Sequence, residues 1–271
     1  MPIKHWFYTT FPAFKQPLHR RWYEYISALD KNANMLFMNH GYAVLDSDAE
    51  LLALSAEDEH HRYSLQLYHH MASAIDWSGA RVLEVGSGRG GGASYINRRF
   101  NPRSIVGIDI TANAIDFCCR HYSTDGLFFA RGDAQLLPFA GNSFDVVFNV
   151  ESSGYYPDFE RFLQEVIRVL RPGGHFLYAD MRYQEDIETW RAQLDGTGLR
   201  LIKEEDITPN AIQALALDRE RKQELIKQHV PRVFHGLFGT FAGIGGADLA
   251  HGLPKPGERI YLNWVFCKPR G

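Results

Sequence analysis

The sequence predicts an α/β fold in which a mostly parallel sheet carries helices on both faces. From residue 81 to about residue 206 the chain alternates short β-branched runs with amphipathic helical stretches, which is the pattern of such a sheet. One of these runs ends directly in a glycine-rich turn. Ligands of this architecture bind at the carboxyl ends of the strands, where the strand order reverses, so the turn marks the expected site.

Each predicted strand is an apolar run bounded by turn residues. The seven runs are residues 81–85, 104–109, 127–131, 144–149, 173–180, 199–205 and 259–266. Thr208-Pro209 is typical of a helix start, with threonine as the N-cap and proline in the first turn. It predicts a helix that continues to about Ile226.

The glycine-rich turn, residues 86–90, follows the first strand and precedes an amphipathic helix. Glycines let the backbone approach a ligand closely, and a helix N-terminus offers unpaired N–H groups to an anionic group. Gly86, Gly88 and Gly91 also satisfy the dinucleotide fingerprint, which favours a cofactor such as NAD. The carboxylate of Glu84 instead favours S-adenosylmethionine, because that cofactor carries a cationic amino-acid portion. At this point both cofactors remain open.

Two further strand ends carry carboxylates. Asp109 ends the second strand, about 20 residues past the glycines, where an acid can accept from both ribose hydroxyls of either nucleotide. Asp133 follows the third strand and would suit an adenine amino group. The strand ends therefore predict a nucleoside site.

The later motifs decide between the cofactors. They are Leu137-Pro138-Phe139, residues 144–149 (Phe-Asp-Val-Val-Phe-Asn) and residues 170–174 (Leu-Arg-Pro-Gly-Gly). In this order and spacing the motifs resemble those of the class I S-adenosylmethionine-dependent methyltransferases. The resemblance implies a Rossmann-like fold with a seven-stranded, mostly parallel sheet, a last strand antiparallel near the sheet edge, a cap over the acceptor pocket, and S-adenosylmethionine as cofactor. It assigns cofactor binding to Asn39, Tyr42, Glu84, Gly86, Ser87, Gly88, Gly90, Asp109, Ile110, Asp133, Ala134 and Asn149.

Over roughly residues 35–268 the chain is similar to the phthiotriol/phenolphthiotriol dimycocerosate methyltransferases and fatty-acid O-methyltransferases. The similarity extends beyond the general motifs, for example in residues 90–95 (Gly-Gly-Gly-Ala-Ser-Tyr) and 149–151 (Asn-Val-Glu). That resemblance implies O-methylation of a small hydrophobic acceptor in lipid or secondary-metabolite biosynthesis. The chain departs from several relatives in having Gly154 where they carry a histidine, which leaves C- or N-methylation as the alternative. An NAD-dependent oxidoreductase and a non-catalytic S-adenosylmethionine-binding protein are the rival functions.

Candidate catalytic residues lie in three places. Methyl transfer mainly needs alignment and exclusion of water, but a hydroxyl acceptor must also lose a proton. Glu151 and Tyr155 lie in the loop after the fourth strand, although Glu151 could equally bind a backbone turn or the cofactor. Residues 39–42 (Asn-His-Gly-Tyr) resemble a segment that precedes the core in many small-molecule methyltransferases and closes over the methionine portion of S-adenosylmethionine. His40 in this segment is a candidate base. His69 or its neighbour His70 is predicted to face the site from the helix before the first strand.

Two regions lie outside the predicted core. Residues 1–26 contain eight aromatic residues, which predict docking on the same domain or on a second copy, a lid over the acceptor, or lipid contact. The other region, residues 236–257, is glycine-rich. The resulting division is residues 1–60 as an aromatic-rich cap segment, 61–207 as the cofactor-binding core, 208–258 as a helical and glycine-rich cap insertion, and 259–271 as the last strand and tail.

The overall composition excludes several classes of protein. A net charge of −3 and a pI near 6.5 give no general attraction to nucleic acid or anionic membranes. The three cysteines show no metal-ligand spacing and indicate reduced thiols in a cytoplasmic protein. The sequence has no apolar run of about 18 residues and no apolar signal core. We therefore expect no metal site, no nucleic-acid partner and no stable membrane insertion, while a homo-oligomer is left open.

Overall fold

The computed structural model describes residue 33 and residues 35–46, 48–230, 232, 235–236, 239 and 258–270. The predictions for residues 1–26 and for most of residues 236–257 therefore lie outside the described residues. Among the helices that are described, none is long and apolar enough to span a membrane.

The described chain forms one seven-stranded sheet in the order β3-β2-β1-β4-β5-β7-β6. Strands β1 to β5 are parallel, and β7 runs antiparallel to both β5 and β6. This confirms the predicted mostly parallel, Rossmann-like sheet. The strands are β1 Arg81–Val85, β2 Ser104–Asp109, β3 Leu127–Arg131, β4 Phe144–Val150, β5 Leu170–Tyr183, β6 Arg200–Asp206 and β7 Arg259–Cys267.

Helices cover both faces of the sheet. Buried apolar side chains of α2, α3 and α7 pack on one face, and those of α5 and α6 pack on the other. Burial on both faces explains why the central strands are continuously apolar. The α-helices are α1 Ala56–Glu59, α2 Arg62–Ala72, α3 Gly91–Phe100, α4 Ala112–His121, α5 Phe159–Val169, α6 Ile187–Asp195, α7 Thr208–Leu217 and α8 Arg219–His229.

Strand β5 is longer than predicted at both ends. Phe144 pairs with Leu170, but Val146 pairs with His175, so the intervening residues of β5 form an irregularity in the ladder. Gly173 has a φ of +78° there, a conformation that favours glycine. The strand can therefore begin before the Pro-Gly-Gly sequence that suggested its start.

The predicted helix from Thr208 is divided in two. Ile207 occupies the N-cap position, because the Thr208 hydroxyl accepts a hydrogen bond from the backbone N–H of Tyr261 (2.8 Å) instead of capping the helix. Asp218 separates α7 from α8 and accepts hydrogen bonds from both Nε and Nη2 of Arg221 (2.6 Å each). Tertiary contacts thus overrode the local capping signal.

A buried carboxylate on α5 fixes the loop between β3 and β4. Glu165 accepts a hydrogen bond from the backbone N–H of Leu137 (2.7 Å) and two from the Arg168 guanidinium (2.7 and 2.8 Å). Arg168 also donates to the carbonyls of Leu137 and Phe139. The hydrogen bonds from Arg168 outweigh desolvation, so the pKa of Glu165 lies below its usual value.

A second buried carboxylate, Glu84 of β1, has the opposite electrostatic environment. Its side chain is 1 % exposed, and Oε1 accepts a hydrogen bond from the Tyr68 hydroxyl (3.0 Å). Burial raises the pKa of Glu84 to about 8. Glu84 is therefore protonated near neutral pH in this structure.

We predict that Glu165→Gln lowers the free energy of unfolding by about 1–3 kcal/mol near neutral pH, because charge-assisted hydrogen bonds are lost. A depressed native pKa stabilises the fold above the unfolded pKa, and this stabilisation disappears as the pH falls through the native pKa. The difference in the free energy of unfolding between the variant and the wild type should thus shrink below about pH 4. Urea denaturation across pH measures it, with exposed Glu160→Gln on the same helix as the control. A pH-independent difference would contradict the assignment.

The Glu84→Gln variant should show the opposite trend. A raised native pKa means that the folded state holds a proton that the unfolded state has released, so the wild type loses stability as the pH rises from the unfolded to the native pKa. Between about pH 5 and about pH 8, the free energy of unfolding of Glu84→Gln should rise by about 3–4 kcal/mol relative to that of the wild type. The free energy of unfolding is measured by urea denaturation at each pH. If it depends on pH in the same way for both proteins over this interval, Glu84 is charged in the native state.

Candidate functional site

A cavity opens at the carboxyl ends of the parallel strands, where the strand order reverses between β1 and β4. It lies where the fold class predicts a ligand. The predicted site residues that line it are Asn39, Gly86, Ser87, Gly88, Asp109, Ile110, Asp133, Ala134, Glu151 and Tyr155. His40, Tyr42, His69, Glu84, Gly90 and Asn149 are not among its lining residues.

The turn after β1 forms the floor of the cavity and requires glycine. Gly86 has a φ of +75°, and a Cβ on it would lie 2.3 Å from Ser152 Oγ. Gly90 has a φ of +78°, and a Cβ there would meet the Phe129 ring at 2.6 Å. The backbone N–H groups of Gly86 and Ser87 both donate to the Ile108 carbonyl (2.9 and 2.8 Å). The turn is therefore locked against the end of β2.

Asp109 lies at the end of β2, on the cavity wall. Its Oδ2 accepts a hydrogen bond from the Gly88 N–H (3.0 Å), and its Oδ1 accepts one from the Thr111 N–H (2.8 Å). Burial raises the pKa of Asp109, and these N–H groups oppose the rise. A carboxylate has about four lone-pair sites, so each oxygen of this fixed group can also accept from a ligand hydroxyl.

Three more polar groups line the cavity. Asp133 is held at the wall by hydrogen bonds that its Oδ1 accepts from the N–H and side-chain amide of Gln135 (2.9 and 3.1 Å). The buried Ser87 Oγ and Asn39 Oδ1 have no hydrogen-bond partner within the described part of the chain. Buried polar atoms are normally satisfied. A glycine turn, two carboxylates and unsatisfied polar atoms together fit a polar nucleoside such as S-adenosylmethionine.

Two predicted cofactor residues, Asn149 and Glu84, do not line the cavity but contact residues that do. Asn149 is fully buried, and its Nδ2 donates to the Val85 carbonyl (2.8 Å) and to Ser152 Oγ (2.6 Å). It thereby joins the end of β1 to the loop after β4. Glu84 is covered by Tyr68, which itself lines the cavity. Burial raises the pKa of Glu84 to about 8, and a cationic group of the cofactor beside it would lower that pKa, so the role expected for Glu84 stays a prediction.

The structure does not bring three other predicted residues to the cavity. His69 Nδ1 lies 2.9 Å from the Tyr95 hydroxyl, between α2 and α3. Its neighbour His70 contacts Glu205 (2.7 Å) and stacks on Tyr42 at 4.3 Å between ring centroids. The expectation that the histidine pair faces the site is wrong, because Tyr68 is the residue that this helix turns toward the cavity.

Glu151 is the centre of a polar cluster at the cavity wall. Its Oε1 accepts hydrogen bonds from the His40 backbone N–H and from the Tyr261 hydroxyl (2.7 Å each), and its Oε2 contacts His40 Nδ1. Burial alone would raise the pKa of Glu151, but the charge and hydrogen bonds of His40 and the Tyr261 hydroxyl outweigh it and lower the pKa. Glu151 is therefore an ionised carboxylate that orients His40.

Position 154 lies beside a buried ion pair rather than on the cavity wall. The Gly154 N–H donates to Asp180 Oδ2 (3.1 Å), and a Cβ on Gly154 would lie 3.2 Å from Arg182 Nη1. Arg182 also contacts Asp180 Oδ1 (3.2 Å). The next residue, Tyr155, lines the cavity.

Sequence reasoning missed several residues of the site. The apolar residues Leu36, Phe37 and Met38 line the cavity, and their position just before Asn39 was the available signal. Tyr68, next to His69 in the chain, also lines the cavity. Tyr261 carried no sequence signal for a polar role, because it lies in an apolar strand far from Glu151 in the chain.

Comparisons with known proteins agree on one family. Residues 83–178 match the family described as Methyltransferase domain. The phthiotriol/phenolphthiotriol dimycocerosates methyltransferase of Mycobacterium tuberculosis (strain ATCC 25177 / H37Ra) is 39 % identical over 92 % of this chain and 91 % of that protein. A fatty-acid O-methyltransferase of Mycolicibacterium smegmatis is 38 % identical over 91 % of this chain and 88 % of that protein.

Solved structures share the fold at lower identity. The cyclase SpnF aligns with a TM-score of 0.69 and 20 % identity, over 93 % of this chain and 95 % of that one. The geranyl diphosphate C-methyltransferase of Streptomyces coelicolor A3(2), solved with S-adenosyl-L-homocysteine, aligns with a TM-score of 0.64 and 16 % identity, over 94 % and 98 % of the two chains. The chain belongs to the class I S-adenosylmethionine-dependent methyltransferases, in the family of the phthiotriol/phenolphthiotriol dimycocerosates methyltransferases, and uses S-adenosylmethionine as its methyl donor.

Proposed function

We propose that this methyltransferase transfers the methyl group to an oxygen atom of a small hydrophobic acceptor in lipid or secondary-metabolite biosynthesis. The observation that carries the proposal is the contact of His40 with Glu151, which lines the cavity. A sulfonium-bound methyl group is electrophilic enough that the protein mainly aligns the acceptor and excludes water. A hydroxyl acceptor also needs a base, and an oriented imidazole is the most common one.

The His40–Glu151 pair has the arrangement of such a base. Glu151 is ionised and contacts Nδ1 of His40, so whenever the imidazole is in its neutral form this contact favours the tautomer with the proton on Nδ1. The lone pair is then on Nε2, and that nitrogen is the one we assign to the acceptor proton. Position 154, where several relatives carry a histidine, is a glycine beside Arg182 and Asp180 in this chain, so we assign the base to His40 instead.

The lining of the cavity supports a hydrophobic acceptor. Leu36, Phe37, Met38 and Val150 are among its apolar lining residues. Apolar walls with a few placed polar groups are typical of small-molecule sites. The names of the two relatives, which refer to dimycocerosates and to a fatty acid, support the same class of acceptor.

A cap over the acceptor is part of the proposal. The segment before α1 is fastened to α7 by two hydrogen bonds between Ala43 and Asn210 (3.1 and 2.9 Å). The Lys222 ammonium of α8 lies 3.4 Å from the Asn39 carbonyl. These contacts support a cap that combines the N-terminal segment with the insertion after residue 208.

We predict that Asp109→Asn weakens S-adenosylmethionine binding at least about tenfold, because a charge-assisted hydrogen bond to a ribose hydroxyl becomes a neutral one. Asparagine keeps the shape of the side chain and one acceptor oxygen for the turn. Isothermal titration calorimetry measures the change in affinity. Asp116→Asn is the control, because Asp116 is an exposed residue of α4. Equal affinities for wild type and Asp109→Asn would remove Asp109 from the cofactor site.

For His40→Gln we expect methylation of hydroxyl acceptors to slow about 100-fold or more, because the general base is lost. A fatty acid is already ionised near neutral pH and needs no base, so its methylation should change little. Release of S-adenosylhomocysteine with a long-chain alcohol or phenol and with a fatty acid measures both rates. Exposed His60→Gln is the matched control.

The outcomes of this comparison separate the acceptor classes. Equal loss with both acceptors would assign His40 to binding or folding rather than to deprotonation. Turnover only with carbon or nitrogen nucleophiles would overturn O-methylation. Raised melting temperature with NAD but not with S-adenosylmethionine would contradict the cofactor itself.

A further inference from the structure

Tyr261 connects the last strand of the sheet to the polar cluster at the cavity wall. It lies in β7, outside the residues that match the methyltransferase domain. Its side chain is buried, and its hydroxyl lies 2.7 Å from Glu151 Oε1. Burial and the neighbouring Glu151 raise the pKa of Tyr261 far above its usual value. Tyr261 therefore keeps its proton and donates it to the carboxylate.

The backbone of Tyr261 is held as firmly as its side chain. Its N–H donates to the Thr208 hydroxyl (2.8 Å), and its carbonyl accepts from the Ile207 N–H (2.9 Å). Strand β5 pairs with it at Met181. A hydroxyl group carried by such a rigid strand is pre-organised, so little entropy is lost when it holds its partner.

The backbone of Glu151 has a strained conformation that the surrounding contacts must stabilise. Its φ is +49°, in the left-handed region that residues other than glycine rarely adopt. Its backbone N–H donates to the Ala179 carbonyl (2.8 Å). Strained residues of this kind persist only where the surrounding contacts over-determine them, and they concentrate at functional sites.

The titratable groups that face Glu151 come from four elements. His40 lies in the segment before α1, Tyr261 in β7, Lys222 in α8 and Tyr68 in α2. Lys222 is weakly paired with Asp218, at 3.9 Å. Three hydrogen-bond donors contact the Glu151 carboxylate directly: two from His40 and one from Tyr261. Of these three, only the Tyr261 hydroxyl can be removed without altering the proposed base.

We propose that Tyr261 is a positioning residue that keeps Glu151 ionised and aimed at His40, so that the final strand takes part in activating the acceptor. The inference rests on the proposed function, because Tyr261 acts only through the Glu151–His40 pair. It gives the antiparallel strand a chemical role in addition to its structural one.

The variant Tyr261→Phe tests this inference, because it removes one hydroxyl and keeps the ring. Hydrogen bonds to an ionised carboxylate lower its pKa, so the titration midpoint of Glu151 should rise by about one pH unit or more in the variant. Carbon-13 NMR of side-chain-labelled glutamate measures the midpoint in the cofactor-free protein, and Glu151→Gln assigns the signal. The acid limb of the pH–rate profile for hydroxyl methylation reports protonation of the proposed base, and it should also move upward, because a carboxylate that has lost a donor stabilises the protonated imidazole more strongly; the KM for S-adenosylmethionine should stay constant.

Tyr183→Phe is the matched control, since the Tyr183 hydroxyl lies on neighbouring β5 and accepts from Arg259 instead of touching the cluster. A purely structural role for Tyr261 would lower the melting temperature without moving the Glu151 midpoint, and that result would overturn the inference. Failure of the proposed function has a different signature: the midpoint moves in Tyr261→Phe, but Glu151→Gln leaves hydroxyl methylation intact.

Discussion

The site depends on one close approach, between the turn after β1 and the loop after β4. At Gly86 the two backbones come so near that a methyl group would collide with the Ser152 hydroxyl. Asn149 holds the approach from beneath, because its amide donates both to the Val85 carbonyl and to Ser152. The cofactor side of the cavity is built on the first of these segments, and Glu151 is built on the second. Loss of the contact would therefore separate the glycine turn from the loop that carries Glu151.

The sequence was most informative where function depends on local backbone. Strands β1 and β4 are almost entirely buried and consist mostly of apolar residues, and the positions of β1 to β4 could all be predicted closely. Glycines in a turn, and acids such as Asp109 and Asp133 at strand ends, are signals contained in a few consecutive residues. All three features line the cavity.

Side-chain direction was less predictable. A helix such as α2 can rotate by one residue without changing its apolar pattern much, and this rotation decides whether Tyr68 or His69 faces the cavity. Glu84 adjoins the turn in sequence, but Tyr68 covers it. Contacts across long separations were not predictable at all: His40 and Tyr261 lie 111 and 110 residues from Glu151. Nothing in an apolar strand indicates that one tyrosine hydroxyl reaches an acid.

Glu84 and Glu151 illustrate how the surroundings of a carboxyl group set its charge. Glu84 accepts a single side-chain hydrogen bond in an apolar setting, and its pKa rises to about 8. Glu151 is also buried, but it has three donors, and its pKa falls. The two environments push the pKa values of these acids apart, so that one carboxyl is neutral and the other is charged near neutral pH. The same fold in the cyclase SpnF shows that the sheet alone does not determine the reaction. In this chain, the proposed removal of a proton from the acceptor depends on the three donors around Glu151.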